Sequence, residues 1–103
     1  MQQAFIHHVF FWLKDPSSQQ DLMELIEGLQ KLSKVSTIKS FHIGKPAATN
    51  RGVIDTTYSV SWLITFDTAA GQDSYQVDPI HLNFVKECAH LWEKVVVYDA
   101  VEI

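Results

Sequence analysis

The sequence predicts one α+β domain of the ferredoxin-like type, βαββ(αα)β, with a four-stranded antiparallel sheet carrying its helices on one face. Three observations predict it. Strand-like and helix-like hydrophobic periods alternate in that order along the chain. At 103 residues with 47% hydrophobic and 12% aromatic content, the chain has the size of one small domain with a real core, spanning residues 1–103. A chain of this length buries roughly two-thirds of the surface its unfolded form exposes, enough for one sheet and a few helices.

Each element follows from its residues. "AFIHHVFFWL", residues 4–13, is β-branched and aromatic with only two histidines to interrupt it, the pattern of a strand covered on both faces. "KDPSSQQ" breaks it, with Asp15 or Ser17 as the helix N-cap and Gln20 completing a capping box with Ser17. Leu22, Leu25, Ile26, Leu29 and Leu32 then recur at spacings of three and four, one apolar stripe down a helix of about residues 17–34. Gly28 interrupts that stripe at about 1 kcal/mol relative to alanine, which points to close packing or a gap.

A second strand, "TIKSFHIG", ends at Gly44, and "KPAATNRGVID" is a long loop of turn-forming residues. "TYSVSWLITF" alternates as a third strand: Tyr58, Val60, Trp62, Ile64 and Phe66 form a bulky set expected to face the helices. Thr68 caps a short helix reaching about Val77, Asp78 caps the next with Pro79 at its first position, and "KVVVYDAVEI" closes the sheet.

Helices cover only one side of such a sheet, yet the first strand is apolar on both. Ile6, Phe10 and Trp12 alternate with Phe5, Val9, Phe11 and Leu13. A second copy covering the open face, sheet against sheet, removes the patch, and the small residues of the third strand permit close approach.

Charge and cysteine content narrow the function. Eight basic and twelve acidic residues give a formal charge of −4 without a basic stripe, which argues against nucleic-acid binding. One cysteine, Cys88, forms no internal disulfide. The N-terminal stretch lacks a signal-peptide pattern and its apolar run is too short to span a bilayer, so a cytoplasmic location without membrane association is expected.

"DSYQVDPIHLNFV" carries the candidate chemistry. Tyr75 stands six residues before His81, separated by Asp-Pro, which places His81 in the first turn of a helix. There the dipole disfavours imidazolium, leaving a neutral base, while a tyrosine O–H suits a developing oxyanion. The alternative reading is helix punctuation, with both side chains bonded to backbone. His7 and His8 lie on opposite faces of the first strand and cannot chelate one metal together, and His7 with His81 lacks a third ligand, so no metal is expected; the acid–base pair needs no cofactor. Arg51 reads as a solvated loop arginine, and Cys88 as a buried thiol.

"HHVFFWLKD", "YQVDPIHLNFV" and "LWEKVVVYDAV" together resemble the stress-responsive dimeric α/β-barrel (Dabb) family over nearly the whole chain. The resemblance implies two ferredoxin-like sheets meeting in a homodimeric barrel. Most members have no established activity. One plant branch, typified by olivetolic acid cyclase, performs cofactor-free aldol cyclisation with the tyrosine and second histidine of a Tyr-x-x-His-Pro-x-His segment. Those positions fall on Tyr75 and His81, with Asp78 in place of the first histidine. The resemblance also points to His7 and Trp92, and replaces pocket aromatics of the first helix by Ile26 and Leu29. The expectation is therefore a dimeric domain whose mostly apolar cavity, lined by His7, Val9, Ile26, Leu29, Trp62 and Trp92, holds a small apolar or carbonyl ligand. The alternative is a cofactor-free enzyme with His81 as base and Tyr75 as oxyanion donor.

Overall fold

A computed structural model describes residues 4–103; the first three residues of the expected domain, and the start of the stretch read for a signal peptide, lie outside them. The elements run β1 (Phe5–Leu13), α1 (Gln19–Leu32), β2 (Ile38–Gly44), β3 (Val60–Phe66), α2 (Ala69–Val77), α3 (Pro79–Cys88) and β4 (Trp92–Val101), with a 3-10 turn at Ala89–Leu91. The strands form one antiparallel sheet in the order β2-β3-β1-β4, the ferredoxin-like arrangement. Among the described residues no helix is long and apolar enough to cross a membrane.

The core lies between the helices and one face of the sheet. Phe11 pairs with Val60 and Val9 with Trp62, so the odd positions of β1 and the even positions of β3 share the helix side. Leu25, Leu29 and Leu32 of α1 seal that layer and are fully buried, each contributing about 1.5–3 kcal/mol relative to exposure. Gly28 lets α1 and α3 touch, because a Cβ there would lie 2.6 Å from Cys88 Sγ.

Local chemistry sets the element ends. Thr68 Oγ1 accepts from Gly71 N, and Asp78 Oδ1 accepts from Ile80 N at 2.8 Å with Pro79 opening α3. At α1 the cap is Ser18, whose Oγ accepts from Asp21 N at 3.1 Å. The expected box between Ser17 and Gln20 does not form. Asp15 Oδ1 instead accepts from Ser17 N and Oγ, turning the chain one residue before the helix.

The other sheet face is open. Ile6, His8, Phe10 and Trp12 of β1 lie there, with Ser61 and Leu63 of β3 and Val96 and Tyr98 of β4 beside them. Tyr58 joins this face, contrary to the alternation expected for it. Ser59 N donates to Phe11 O and Ser59 Oγ accepts from Leu13 N, so regular β3 alternation begins at Val60. The Tyr58 ring packs edge-on against Phe10 at 4.9 Å.

Candidate functional site

The parity that buries Val9 also buries His7, which projects from β1 toward the helices. On α2, Gln72 and Tyr75 are the buried pair, three residues apart and on one helical face. Asp78 ends α2 and caps α3, and the turn it makes returns His81 to Tyr75, their ring centroids 4.7 Å apart. These side chains, with Trp62 beneath and Phe84 and Trp92 at one end, line a cavity of about 180 Å³ between sheet and helices. Val85 of α3 and Val95 and Val97 of β4 form its rim and are more than a third exposed.

Hydrogen bonds fix the polar groups of the cavity. Tyr75 is 1% exposed, held between the rings of Phe66, His7 and His81. Burial pushes its pKa up to about 12, against a smaller opposing effect of the Trp62 indole N–H, which donates to the phenol oxygen at 3.2 Å. Tyr75 is therefore a neutral phenol at physiological pH. His81 Nδ1 lies 3.1 Å from the backbone carbonyl of Gln76. A carbonyl only accepts, so Nδ1 carries the hydrogen and Nε2 keeps a lone pair. Burial, the largest cause, lowers the His81 pKa, and the Gln76 carbonyl raises it only in part. His7 pairs with Asp99 across the β1/β4 ladder, Nδ1 to Oδ1 at 2.6 Å. With Nδ1 committed to Asp99, His7 keeps only Nε2 for anything that enters.

The family model described as the stress responsive A/B barrel domain matches residues 5–102. The chain belongs to that family. A Dabb family protein with a ferredoxin-like fold from Mesorhizobium loti superposes with a TM-score of 0.82 at 23% identity, 99% of each chain being covered. A hydroxynitrile lyase from Passiflora edulis gives 0.80 at 23% identity, covering all of this chain (100%) and 96% of the lyase. A protein from Thermobifida fusca, described as dimeric, ferredoxin-like and of unknown function, gives 0.79 at 18% identity over 99% of this chain and 93% of that one. No curated protein matches the sequence. At these identities the structural likenesses establish the fold.

Within this A/B barrel domain, His7, Val9, Trp62, Tyr75, His81 and Trp92 converge on the one cavity. Ile26 and Leu29 do not join them. Leu29 is sealed in the core, and Ile26 faces a separate hollow beside Ile43 and Val60. The last turn of α1 reaches the cavity, so Leu32 supplies the lining. Asp99 went unnoticed in the sequence although it is a lone carboxylate in the run "VVVYDAV". That break in an apolar strand was the available signal.

Other candidates lie elsewhere. His8 faces the open side, its Nε2 2.8 Å from Ser61 Oγ and its ring against Phe10 at 4.2 Å. Arg51 lines a shallow hollow within its own loop. Cys88 is buried against Gly28, and burial raises its thiol pKa. A larger groove of about 630 Å³ runs between α1 and α3, crossed by the loose Lys31–Glu87 pair at 4.0 Å. Its charged side chains are solvated and, among the described residues, none is buried against a partner there, so size alone does not make it the site. Among the described residues no three His, Cys, Asp or Glu side chains gather into a group able to hold a metal ion.

Proposed function

We propose that the protein is a homodimeric domain, joined through the open sheet faces, that takes a small, mostly apolar carbonyl compound into the cavity between sheet and helices. His81 Nε2 would accept a proton from the carbon beside the carbonyl, and Tyr75 would donate a hydrogen bond to the oxygen. The observation that carries this reading is the pairing of a neutral acceptor and a neutral donor on one apolar cavity. At about 180 Å³ the cavity suits a single-ring molecule, since an apolar cavity of about 150 Å³ accommodates benzene.

The chemistry follows from the assigned hydrogens. As the C–H bond breaks, its electron pair moves into the carbonyl and negative charge grows on the oxygen, where the Tyr75 hydrogen bond strengthens. The proton rests on His81 Nε2, and its Nδ1–H still faces the Gln76 carbonyl. Val9 and Phe84, both buried, give the developing charge an apolar wall. That a protein of the same fold from Passiflora edulis is a hydroxynitrile lyase supports the scaffold's capacity to host an enzyme, without naming a substrate here.

Binding separates this reading from an unused void. Acetophenone and ethylbenzene share shape and differ in the carbonyl, so ligand-observed NMR should show acetophenone binding several-fold more tightly, as one hydrogen bond of about 0.5–1.5 kcal/mol allows. Tyr75→Phe should erase the preference. Equal binding of both compounds, or of neither, would defeat the reading.

A further inference from the structure

The bond between Trp62 and Tyr75 has a directional consequence. An indole N–H only donates, whereas a phenol oxygen both donates and accepts. Because Trp62 Nε1 donates to Tyr75 Oη at 3.2 Å, a phenol lone pair is occupied from the sheet side. Among the described residues no protein group accepts the phenol's own hydrogen. The indole itself is held firmly: Trp62 is 1% exposed, its backbone pairs with Val9 on one side and Ile43 on the other, and its ring packs against Phe41 at 5.7 Å.

We propose that Trp62 is a positioning residue, whose indole N–H fixes the hydroxyl rotor of Tyr75 so that the phenol hydrogen is presented to the ligand oxygen in the cavity. This rests on the proposed function and adds a division of labour to it. Tyr75 touches the ligand oxygen, and Trp62 acts through Tyr75. The same bond polarises the O–H, since a hydroxyl that accepts a hydrogen bond becomes a stronger donor. It also restricts what the site takes. With Tyr75 limited to donating and His81 Nε2 limited to accepting, the favoured ligand is a neutral molecule carrying an oxygen acceptor beside an acidic C–H or O–H, such as an enolisable ketone or an α-hydroxy carbonyl compound.

The test is a double-mutant cycle with acetophenone as the probe, using Trp62→Phe, Tyr75→Phe and the double variant. If Trp62 acts through the phenol, Trp62→Phe lowers the ratio of acetophenone to ethylbenzene affinity about three- to tenfold, a ratio from which the packing change common to both probes cancels. The double variant then shows the same acetophenone-to-ethylbenzene ratio as Tyr75→Phe alone. In the wild type the Trp62 indole N–H exchanges with D₂O more slowly than in Tyr75→Phe, a signature that packing alone would not produce. Should Trp62→Phe not fold, 3-benzothienylalanine at position 62 keeps the bicycle without the N–H and carries the same expectations. Additive losses of that ratio in the double variant, or an unchanged ratio in Trp62→Phe, would overturn the positioning role while leaving the cavity reading in place. Failure of the wild type to bind acetophenone, with the indole N–H still protected, would instead overturn the functional reading and the role built on it.

Discussion

Replacing Gly28 with alanine sets two effects of opposite sign against each other. In an exposed helix the change stabilises by about 1 kcal/mol, because alanine is the better helix former. Here the added Cβ would lie 2.6 Å from Cys88 Sγ and 3.2 Å from the Phe84 ring. Neither neighbour yields easily, since the thiol has a single short rotor and Phe84 is wedged against Phe11 and Trp92. Overpacking of this kind costs about 1–3 kcal/mol, and relieving a contact this short by separating α1 from α3 belongs near the upper end. The net expectation is a loss of about 1–2 kcal/mol, or a fall in Tm of about 4–16 °C for a chain of this size. Cys88→Ala removes the clashing sulfur, itself worth about 1 kcal/mol of packing. In Gly28→Ala/Cys88→Ala the new methyl occupies the vacated space, and stability should return to within about 1 kcal/mol of wild type. Urea unfolding of the four proteins measures the coupling. Gly28→Ala as stable as wild type, or losses that simply add, would refute the claim that Gly28 exists to let the two helices touch.

Further tests address the open face. Phe10→Glu puts an unpaired carboxylate among His8, Tyr58 and Tyr98; light scattering at micromolar concentration should give a monomeric mass, or the chain should unfold, whereas an intact dimer would count against sheet-to-sheet assembly. His8 supplies a pH dependence. Burial first, then His42 and His7, lower its pKa from 6.5, so the folded state binds fewer protons than the unfolded one as pH falls below about that value. Stability contributed by neutral His8 is therefore present above pH 6.5 and lost below it. Stability in urea, followed by circular dichroism, should fall as pH drops below 6.5 in the wild type and fall less in His8→Gln. Identical profiles for the two proteins would remove His8 from the account.

Much of this fold was legible because strand parity and helix period are local properties. The alternation of β1 assigned His7 and His8 to opposite faces, and the Asp78-Pro79 step placed His81 beside Tyr75. What escaped was whatever depends on how elements meet. The His7–Asp99 pair needs the register of the first strand against the last, which no single sequence states. Leu32 in place of Ile26 and Leu29 reflects which turn of α1 lies over the cavity, to which a hydrophobic stripe is blind. Ser18 outcompeted Ser17 as cap because Asp15 engaged Ser17 first, a contest among three good capping residues that spacing alone does not decide. Trp62 was recognisable as a cavity residue, but its bond to Tyr75 joins a strand to a helix and appears only once both are packed.

The central claim is that His81 and Tyr75 form a working acid–base pair on one cavity, and hydrogen exchange tests it most directly. Acetophenone in D₂O, followed by proton NMR, should lose its methyl signal faster with the wild-type protein than with buffer. The rate should persist through pH 6.5, where a free imidazole is already half protonated, and fall only at lower pH, because burial keeps His81 neutral there and protonation finally removes the base. His81→Ala should bring the rate to the buffer value while the protein stays folded. It gives up one partly exposed hydrogen bond of about 0.5–1.5 kcal/mol. Exchange no faster than buffer in the wild type, or undiminished in a folded His81→Ala, would contradict the account.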